Sequence, residues 1–143
     1  IDMKVSKLLK QAVRSNPDSG YFRLAKENDT TDYYVHVDGD PSDKVNYSGV
    51  VYLSLPEDCI DKTGTVFYRH KETQKIKLEN IIDNNIITTD AKDSSKWEVV
   101  DVVMNKFNRL VLFDQTLFHS SGQTFGTNKL DGRLIQVVAF FAI

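Results

Sequence analysis

Residues 108–121 read NRLVLFDQTLFHSS, in which two short apolar runs are separated by the polar residues 114–116. Leu, Val and Phe dominate both runs, and short runs of this composition bounded by Asp, Asn or Ser predict β-strands. Six further runs have the same character: YFRLAKE (21–27), DYYVHVD (32–38), YSGVVYLSL (47–55), GTVFYRH (64–70), WEVVDVVM (97–104) and RLIQVVAFFAI (133–143). Eight such runs predict a β-barrel or a β-sandwich.

Two stretches depart from the strand pattern. Between Lys4 and Arg14, apolar residues at helical spacing predict one short helix, which Asn16 and Pro17 end. Residues 71–96 are polar and long for a connection within a compact domain. We expect this stretch to be an insertion near a binding site or a partly ordered flap.

The composition is that of one globular domain spanning residues 1–143, since 41% of the residues are hydrophobic and 27% are charged. The net charge of -2 gives no indication of a nucleic-acid partner or an anionic membrane. A single cysteine, Cys59, excludes an internal disulfide and a cysteine-rich zinc site. We therefore expect a soluble, cytoplasmic protein of open oligomeric state. The strands should bury aromatic side chains, namely Trp97, Phe107, Phe113, Phe140 and Phe141.

A pair of candidate metal ligands lies in the run DYYVHVD. Residues i and i+2 of a strand project to the same side, so His36 and Asp38 can both reach one ion. A third ligand must come from a facing strand, and His119 is the available candidate. Two imidazoles and one carboxylate hold iron in the non-haem Fe(II) oxygenases and leave coordination positions open.

The spacing of His36 and Asp38 is not specific on its own. His70 and Glu72 repeat it at the start of the polar stretch, where we interpret His70 as a surface or flap residue. A histidine in a strand is also often a hydrogen-bonded structural group, and for His119 that alternative stays open.

Five segments, taken together, resemble the prolyl-4-hydroxylase-like branch of the Fe(II)/2-oxoglutarate dioxygenases. They agree with that branch in order and spacing, over about residues 33–141. The segments are HVDGD (36–40), GVVYLSL (49–55), GTVFY (64–68), NRLVLFDQTLFHSS (108–121) and GRLIQVVAFF (132–141). An ordered set of five is far more specific than any one of its members.

The resemblance implies a fold and an activity. The fold would be a double-stranded β-helix, a jelly-roll or cupin-like barrel of eight antiparallel strands with a short N-terminal helix outside it. The activity would be hydroxylation of a C–H bond in a small molecule or peptide, for example at a prolyl or other amino-acid residue, with release of succinate and CO2. Fe(II) and the co-substrate 2-oxoglutarate are implied, with ascorbate as a candidate reductant. The family's N-terminal helical support is mostly missing, and the chain opens on Ile1, so we expect a fragment of a longer protein.

The resemblance also implies roles for five residues. His36, Asp38 and His119 correspond to the iron ligands of the family. Arg133 corresponds to the arginine that pairs with the far carboxylate of 2-oxoglutarate, a role that suits a planar guanidinium. Tyr52 stands where several relatives place a tyrosine that hydrogen-bonds the same carboxylate, although a role as a buried core aromatic stays open.

The chain departs from the family pattern around the carboxylate pocket. Many relatives carry Ser or Thr two or four residues after the arginine, whereas this chain has Ile135 and Val137. Gly64 follows a threonine where the family has a pair of glycines. Residues 123–131 lengthen the separation between the distal histidine and the arginine, and we expect them to enlarge the loop at the barrel mouth. The alternative function is a cupin-like metal- or ligand-binding module without oxygenase turnover.

Overall fold

The computed structural model describes residues 2–29, 34–43 and 46–143, which contain two helices and eight strands. The first half contains α1 (Asp2–Leu9), β1 (Val13–Ser15), β2 (Phe22–Ala25), β3 (Asn46–Tyr52) and β4 (Thr63–His70). The second half contains α2 (Asn84–Asp90), β5 (Trp97–Met104), β6 (Arg109–Asp114), β7 (His119–Ser121) and β8 (Arg133–Ala142). Among these residues, neither helix is long and apolar enough to cross a membrane.

The strands form two antiparallel sheets. The first has the order β1-β8-β3-β6, with β2 also paired to β8, and the second has the order β5-β4-β7. The predicted mainly β architecture of eight strands with a short N-terminal helix is therefore confirmed. Within the described ranges the two sheets do not close into a barrel.

The helix predicted over residues 4–14 is shorter than expected. The chain turns at Lys10, whose φ of 53° lies in the left-handed region, and it then enters β1. Val13 pairs with Ala142 of β8, and its N–H donates to the Ser6 Oγ at 3.0 Å. The apolar residues at the end of the predicted helix thus belong to the first sheet, since pairing with a distant strand overrides the local helical spacing.

The run predicted as a strand over residues 32–38 is only partly described, and Tyr33 lies outside the described residues. In the described part, His36 forms an isolated antiparallel bridge to His119 of β7, and this bridge is not extended into a strand. The bridge places residue 36 beside the edge of the second sheet.

Three of the five predicted core aromatics are buried. Trp97 lies in one of the two main apolar clusters and Phe140 in the other, and Phe113 is also buried, while Phe141 is half-buried. The prediction was wrong for Phe107, which is 46% exposed. Phe107 lies in the turn between β5 and β6, outside both strands, so no sheet covers it.

The polar stretch 71–96 is folded onto the second sheet. Its helix α2 lies between two short 3-10 turns, and Ile86 and Ile87 pack against the cluster that contains Trp97. The indole Nε1 of Trp97 donates to the Asp90 carbonyl at 2.9 Å. The expected insertion is thus a helical cover held by a few apolar side chains and a buried indole.

His70 is a buried residue, so its interpretation as a surface or flap residue was wrong. It is 2% exposed, and its Nε2 lies 3.0 Å from the Asp90 carboxylate. The Thr73 N–H and hydroxyl lie on its Nδ1 side, so Nδ1 accepts and Nε2 donates. His70 therefore connects β4 to the C-terminal end of α2.

The strand β5 lies at the edge of the second sheet, because within the described ranges it pairs with β4 alone. Its valines are unusually exposed for a strand, with Val99 55% exposed and Val100 41% exposed. The acidic residues Glu98 and Asp101 interrupt this apolar row. One long edge of the second sheet thus presents both apolar side chains and carboxylates to its surroundings.

We expect Asp90→Ala to lower the free energy of unfolding by about 1 to 3 kcal/mol, because it leaves the buried His70 N–H without an acceptor. Asp90→Asn should lower the free energy of unfolding by less, since the amide oxygen can accept the same hydrogen bond. The matched control is Glu72→Ala, because Glu72 is exposed and pairs only with Lys96 at 3.6 Å. Urea denaturation measures all three, and equal stability of the Asp90→Ala and control variants would contradict the role of His70.

Candidate functional site

The site begins with the backbone pairing of His36 and His119. The His36 N–H donates to the His119 carbonyl at 2.8 Å, and the His119 N–H donates to the His36 carbonyl at 3.0 Å. Directly opposed residues of an antiparallel ladder project their side chains to the same side. The two imidazole rings accordingly lie with their centroids 4.4 Å apart.

Asp38 completes a group of three potential ligands. Its N–H donates to the Gln115 carbonyl at 2.8 Å, which fixes the segment after His36. One carboxylate oxygen lies 3.8 Å from the His36 Nε2, and the other lies 3.5 Å from the His119 Nε2. The end of the Gln115 side chain packs against Gly39, in the space that a Cβ would occupy.

Both imidazoles present the same nitrogen to this carboxylate. The His119 Nδ1 lies 2.8 Å from the Leu117 carbonyl, and the His36 Nδ1 lies 3.2 Å from the Tyr34 carbonyl. A carbonyl oxygen only accepts hydrogen bonds, so each Nδ1 carries a proton, and in the Nδ1-H tautomer of each ring the lone pair lies on Nε2. Such backbone contacts orient metal-binding histidines in many proteins.

The electrostatic environment favours the neutral form of the buried histidine. Burial lowers the pKa of His119, Asp38 opposes that shift, and His36 adds to it. A neutral imidazole is the form that donates a lone pair to a metal. The three side chains offer ligand atoms that all lie within 4.8 Å of one another.

A cavity of about 270 Å³ adjoins these three side chains and also reaches Arg133. Its wall combines both sheets and the segment around residue 36. Besides those four residues, the wall contains Tyr21, Arg23, Tyr34, Val37, Gly49, Val50, Thr65, Phe113, Ser120, Ser121, Ile135 and Val137. The structure therefore brings the predicted ligands and the predicted arginine to one cavity.

Arg133 begins β8 and is 3% exposed. Its Nη2 donates to the Gly64 carbonyl of β4 at 2.8 Å, which is a contact between the two sheets. Ile135 and Val137 follow it on the cavity wall and bring no hydrogen-bonding side chain. On β8, Arg133 is thus the residue of the cavity wall that could contact a carboxylate, as predicted, whereas Ile135 and Val137 could not.

Tyr52 lies near the cavity, but its hydroxyl contacts Thr65 and does not line the cavity. It is fully buried, and its hydroxyl lies 2.6 Å from the Thr65 Oγ1, while Thr65 and not Tyr52 forms the described cavity wall. Burial raises the pKa of Tyr52, and the bond to Thr65 and the nearby arginines oppose that shift. A Cβ on Gly64 would lie 2.5 Å from the Tyr52 Cζ, so the ring occupies the space that this glycine leaves.

Sequence reasoning missed several wall residues. Thr65 and Ser121 face each other across β4 and β7, and Ser121 stands two residues after His119. The i+2 rule applied to His119 would have placed Ser121 on the same side. Arg23 lies on β2, and no local sequence pattern predicts that β2 pairs with β8.

A second group of potential ligands consists of His70, Glu72 and Asp90. Both ring nitrogens of His70 already have hydrogen-bond partners, one in Thr73 and one in Asp90. A metal would have to displace one of these buried contacts, so this group is better explained as a structural connection.

Comparisons with known proteins give one result. A family profile described as "Family of unknown function (DUF6445)" matches residues 29–136, which include all five predicted site residues. No curated protein matches the chain, and no solved structure matches it. The functional argument therefore depends on the site itself.

Gly64→Ala tests the packing of the site. The new Cβ would overlap the Tyr52 ring, and overpacking of this kind costs about 1 to 3 kcal/mol of the free energy of unfolding. Tyr52→Leu should relieve the overlap, so the double variant should lose less stability than the sum of the two single variants. Thermal or urea denaturation of the four proteins completes the cycle, and strict additivity would contradict the contact.

Proposed function

The chain belongs to the family of unknown function DUF6445, and we propose that it is an Fe(II)- and 2-oxoglutarate-dependent dioxygenase. It would hydroxylate a C–H bond of a small molecule or peptide, such as a prolyl or other amino-acid residue. His36, Asp38 and His119 would hold the iron, and Arg133 would anchor the far carboxylate of 2-oxoglutarate.

The observation that carries the proposal is the shared cavity. Two Nε2 lone pairs and one carboxylate face each other at its wall, and a buried guanidinium lies on the same wall. Between Phe67, which opposes His119, and Gly64, which binds Arg133, the chain advances three residues, or about 10 Å. We propose that a five-carbon dicarboxylate spans this cavity from the metal to the guanidinium.

The strand order supports a jelly-roll as the finer description of the fold. Sequential strands from β3 to β8 alternate between the two sheets except where β4 and β5 pair, and β8 returns to lie beside β3. His36 extends the second sheet past β7 by its bridge to His119. We propose that this arrangement is a double-stranded β-helix in which the two sheets face each other around the cavity.

The proposed reaction is balanced as 2-oxoglutarate plus O2 plus R–H giving succinate, CO2 and R–OH. When bound, the iron would supply the activation of O2, and the histidines and Asp38 would leave coordination positions open for it. The protein would orient the dicarboxylate through Arg133 and shield the site with Val50, Phe113 and their neighbours on the wall. The contacts of both Nδ1 atoms with backbone carbonyls would orient the two Nε2 atoms toward the ion.

The second candidate function is a cupin-like metal- or ligand-binding module without turnover. It is favoured by Ile135 and Val137, which stand where many relatives carry Ser or Thr and give the dicarboxylate no hydrogen bond. Such a module would bind a metal through the same three side chains. Formation of succinate separates the two functions.

We expect purified protein supplied with Fe(II), 2-oxoglutarate, ascorbate and pools of peptides and amino acids, which provide the C–H substrate, to release succinate, and His119→Ala to abolish this release. Asp38→Ala should do the same with less disturbance of the core, because Asp38 is partly exposed. Asp40→Ala is the matched control, since Asp40 binds Ser42 in the adjacent turn and should leave turnover intact. Circular dichroism checks the fold of each variant.

Metal binding is measured separately through the absorption bands of bound Co(II). Loss of the bands in His119→Ala and Asp38→Ala, with retention in Asp40→Ala, is the expected pattern. Undiminished Co(II) binding in both ligand variants would overturn the metal assignment. Normal Co(II) binding by the unaltered protein without any succinate would favour the binding module.

Arg133→Met should mainly weaken 2-oxoglutarate binding, because it removes a charge-assisted contact worth about 1.5 to 3 kcal/mol. Arg69→Met is the control, since it removes the same charge from a surface pair with Glu98 at 3.1 Å. Calorimetric titration with Mn(II) present and oxygen absent gives the dissociation constant. An unchanged constant in a folded Arg133→Met protein would move the anchor to another residue.

A further inference from the structure

A second cavity, of about 420 Å³, lies beside the segment that contains Asp38. Its volume is within the range of pockets for organic ligands, about 300 to 1,000 Å³. Among the residues described, its wall contains four carboxylates and one ammonium group, so it carries a net negative charge, and we call it the acidic cavity. The wall residues are Asp40, Pro41, Asp43, Asn46, Lys77, Leu78, Glu79, Asp114, Gln115 and Thr116.

One carboxylate of the acidic cavity is left with an unused oxygen. The other three already have close partners, namely Ser42 for Asp40, Lys75 for Glu79, and both Thr116 and Lys77 for Asp114. Asp43 accepts from the Asp40 N–H at 3.2 Å and from the Gln115 Nε2 at 3.4 Å, both through its Oδ2. Its Oδ1 has no hydrogen bond to any residue that the structure describes.

Asn46 adds a second acceptor without a donor. It begins β3 and is 9% exposed, and its buried Oδ1 has no partner in the described part of the chain. Its backbone carbonyl accepts from the Gln115 N–H at 3.2 Å, so Asn46 and Asp43 both contact Gln115. A buried carbonyl oxygen without a donor is costly, and the broad torsion of an amide group lets a small rotation direct it to one. Asn46 therefore indicates that a hydrogen-bond donor enters the acidic cavity.

The acceptors suit an organic cation better than a metal ion. Of the side chains described, the groups that could hold a metal include no residue of the acidic cavity. A lysine ammonium carries three donors and no acceptor, so Asp43 and Asn46 could accept two of its hydrogen bonds. Pro41 and Leu78 on the same wall could contact the alkyl part of such a side chain.

The acidic cavity adjoins the candidate metal group. The Gln115 carbonyl accepts from the Asp38 N–H at 2.8 Å, and the Gln115 side chain is part of the acidic wall. Val37 and Asp38 line the cavity beside the metal group, whereas Asp40 lines the acidic cavity. The two cavities are therefore bordered by the same short segment, and one peptide could reach both.

We propose that the acidic cavity binds the ammonium group of a lysine residue in a peptide substrate, with Asp43 and Asn46 as its acceptors. The inference rests on the proposed function and deepens it, because it names a class of substrate, the lysine-containing peptides. The residue that is hydroxylated at the metal group would be another residue of the same peptide.

The first test measures binding without iron, 2-oxoglutarate or turnover. The probe is N-acetyl-lysine amide, titrated into ¹⁵N-labelled protein and followed by NMR. We expect saturable shifts of the side-chain amide signals of Asn46 and Gln115. N-acetyl-norleucine amide has the same alkyl chain without the ammonium group and should give no saturable shift. Equal shifts with both probes, or none with the lysine probe, would overturn the inference.

Butylamine distinguishes a peptide from a free amine as the source of the ammonium group. It lacks the two amide groups of the lysine probe, so it should bind more weakly. Equal affinity for butylamine and the lysine probe would assign the cavity to free amines and contradict a peptide ligand.

Variants of the two acceptors locate the ammonium. Asp43→Asn removes the charge and should raise the dissociation constant of the lysine probe about tenfold or more. Asn46→Leu removes a neutral acceptor and should raise it about threefold to tenfold. The matched control is Asp18→Asn, because Asp18 is exposed and lies outside both cavity walls. An unchanged constant in Asp43→Asn would contradict the assignment.

Stability separates a ligand-binding role of Asn46 from a structural one. Because its Oδ1 has no partner in the free protein, Asn46→Leu should weaken binding without lowering the free energy of unfolding. Lower stability with an unchanged dissociation constant would make Asn46 a structural residue and contradict its role as an acceptor. If Asn46→Leu does not fold, Asp43→Asn decides, since Asp43 is exposed.

Succinate release connects the acidic cavity to the proposed function. With Fe(II) and 2-oxoglutarate, peptides containing lysine should have a lower KM than the same peptides containing norleucine, and Asp43→Asn should remove the difference. If the lysine probe binds and no peptide gives succinate, the proposed function fails and the ammonium site stands. If peptides give succinate with the same KM for lysine and norleucine, the function stands and the inference is overturned.

Discussion

The candidate site depends on one pair of backbone hydrogen bonds, those that His36 and His119 exchange. This pairing joins the segment around residue 36, whose described residues belong to no strand, to the edge of the second sheet. Because paired residues project to one side, it also sets the two imidazoles beside each other, and Asp38 follows at the next residue on that side. The other features of the site, including the histidine tautomers and the cavity wall, depend on the pairing of residue 36 with residue 119.

Buried polar contacts connect the two sheets next to the same cavity. Arg133 of the first sheet donates to the Gly64 carbonyl of the second, and the Tyr52 hydroxyl of the first meets the Thr65 hydroxyl of the second. Such contacts are directional, so they fix the sheets against each other more narrowly than apolar packing alone would. The absence of a side chain at Gly64 is what lets the Tyr52 ring come close enough. Two residues of the cavity wall, Arg133 and Thr65, are thereby held in place by Gly64 and Tyr52, which lie outside the wall.

The sequence was sufficient for most of the strands and for the ligand residues and the arginine that meet at the cavity, because strand composition and the i, i+2 rule are local signals. It was insufficient wherever a distant partner decides the outcome. Val13 was predicted to lie in a helix, but in the structure it pairs with Ala142 of β8. His70 was predicted to lie at the surface, but it is buried and donates to Asp90. Tyr52 was predicted to contact the carboxylate, but it lies behind Thr65, and spacing along a strand does not tell whether a hydroxyl ends in the cavity or on a neighbouring side chain. Whether the three ligand residues bind iron stays a prediction.

The exposed edge at β5 has a consequence for the colloidal behaviour of the protein. An unpaired edge carrying Val99 and Val100 is a template for strand addition by another chain, and proteins commonly protect such edges with charge. In this chain the protection comes from Asp101, since Glu98 already pairs with Arg69, so two copies meeting edge to edge would bring the like charges of their Asp101 carboxylates together. That repulsion is screened as ionic strength rises. Salt, which is often added to keep proteins dispersed, would here weaken the barrier to self-association.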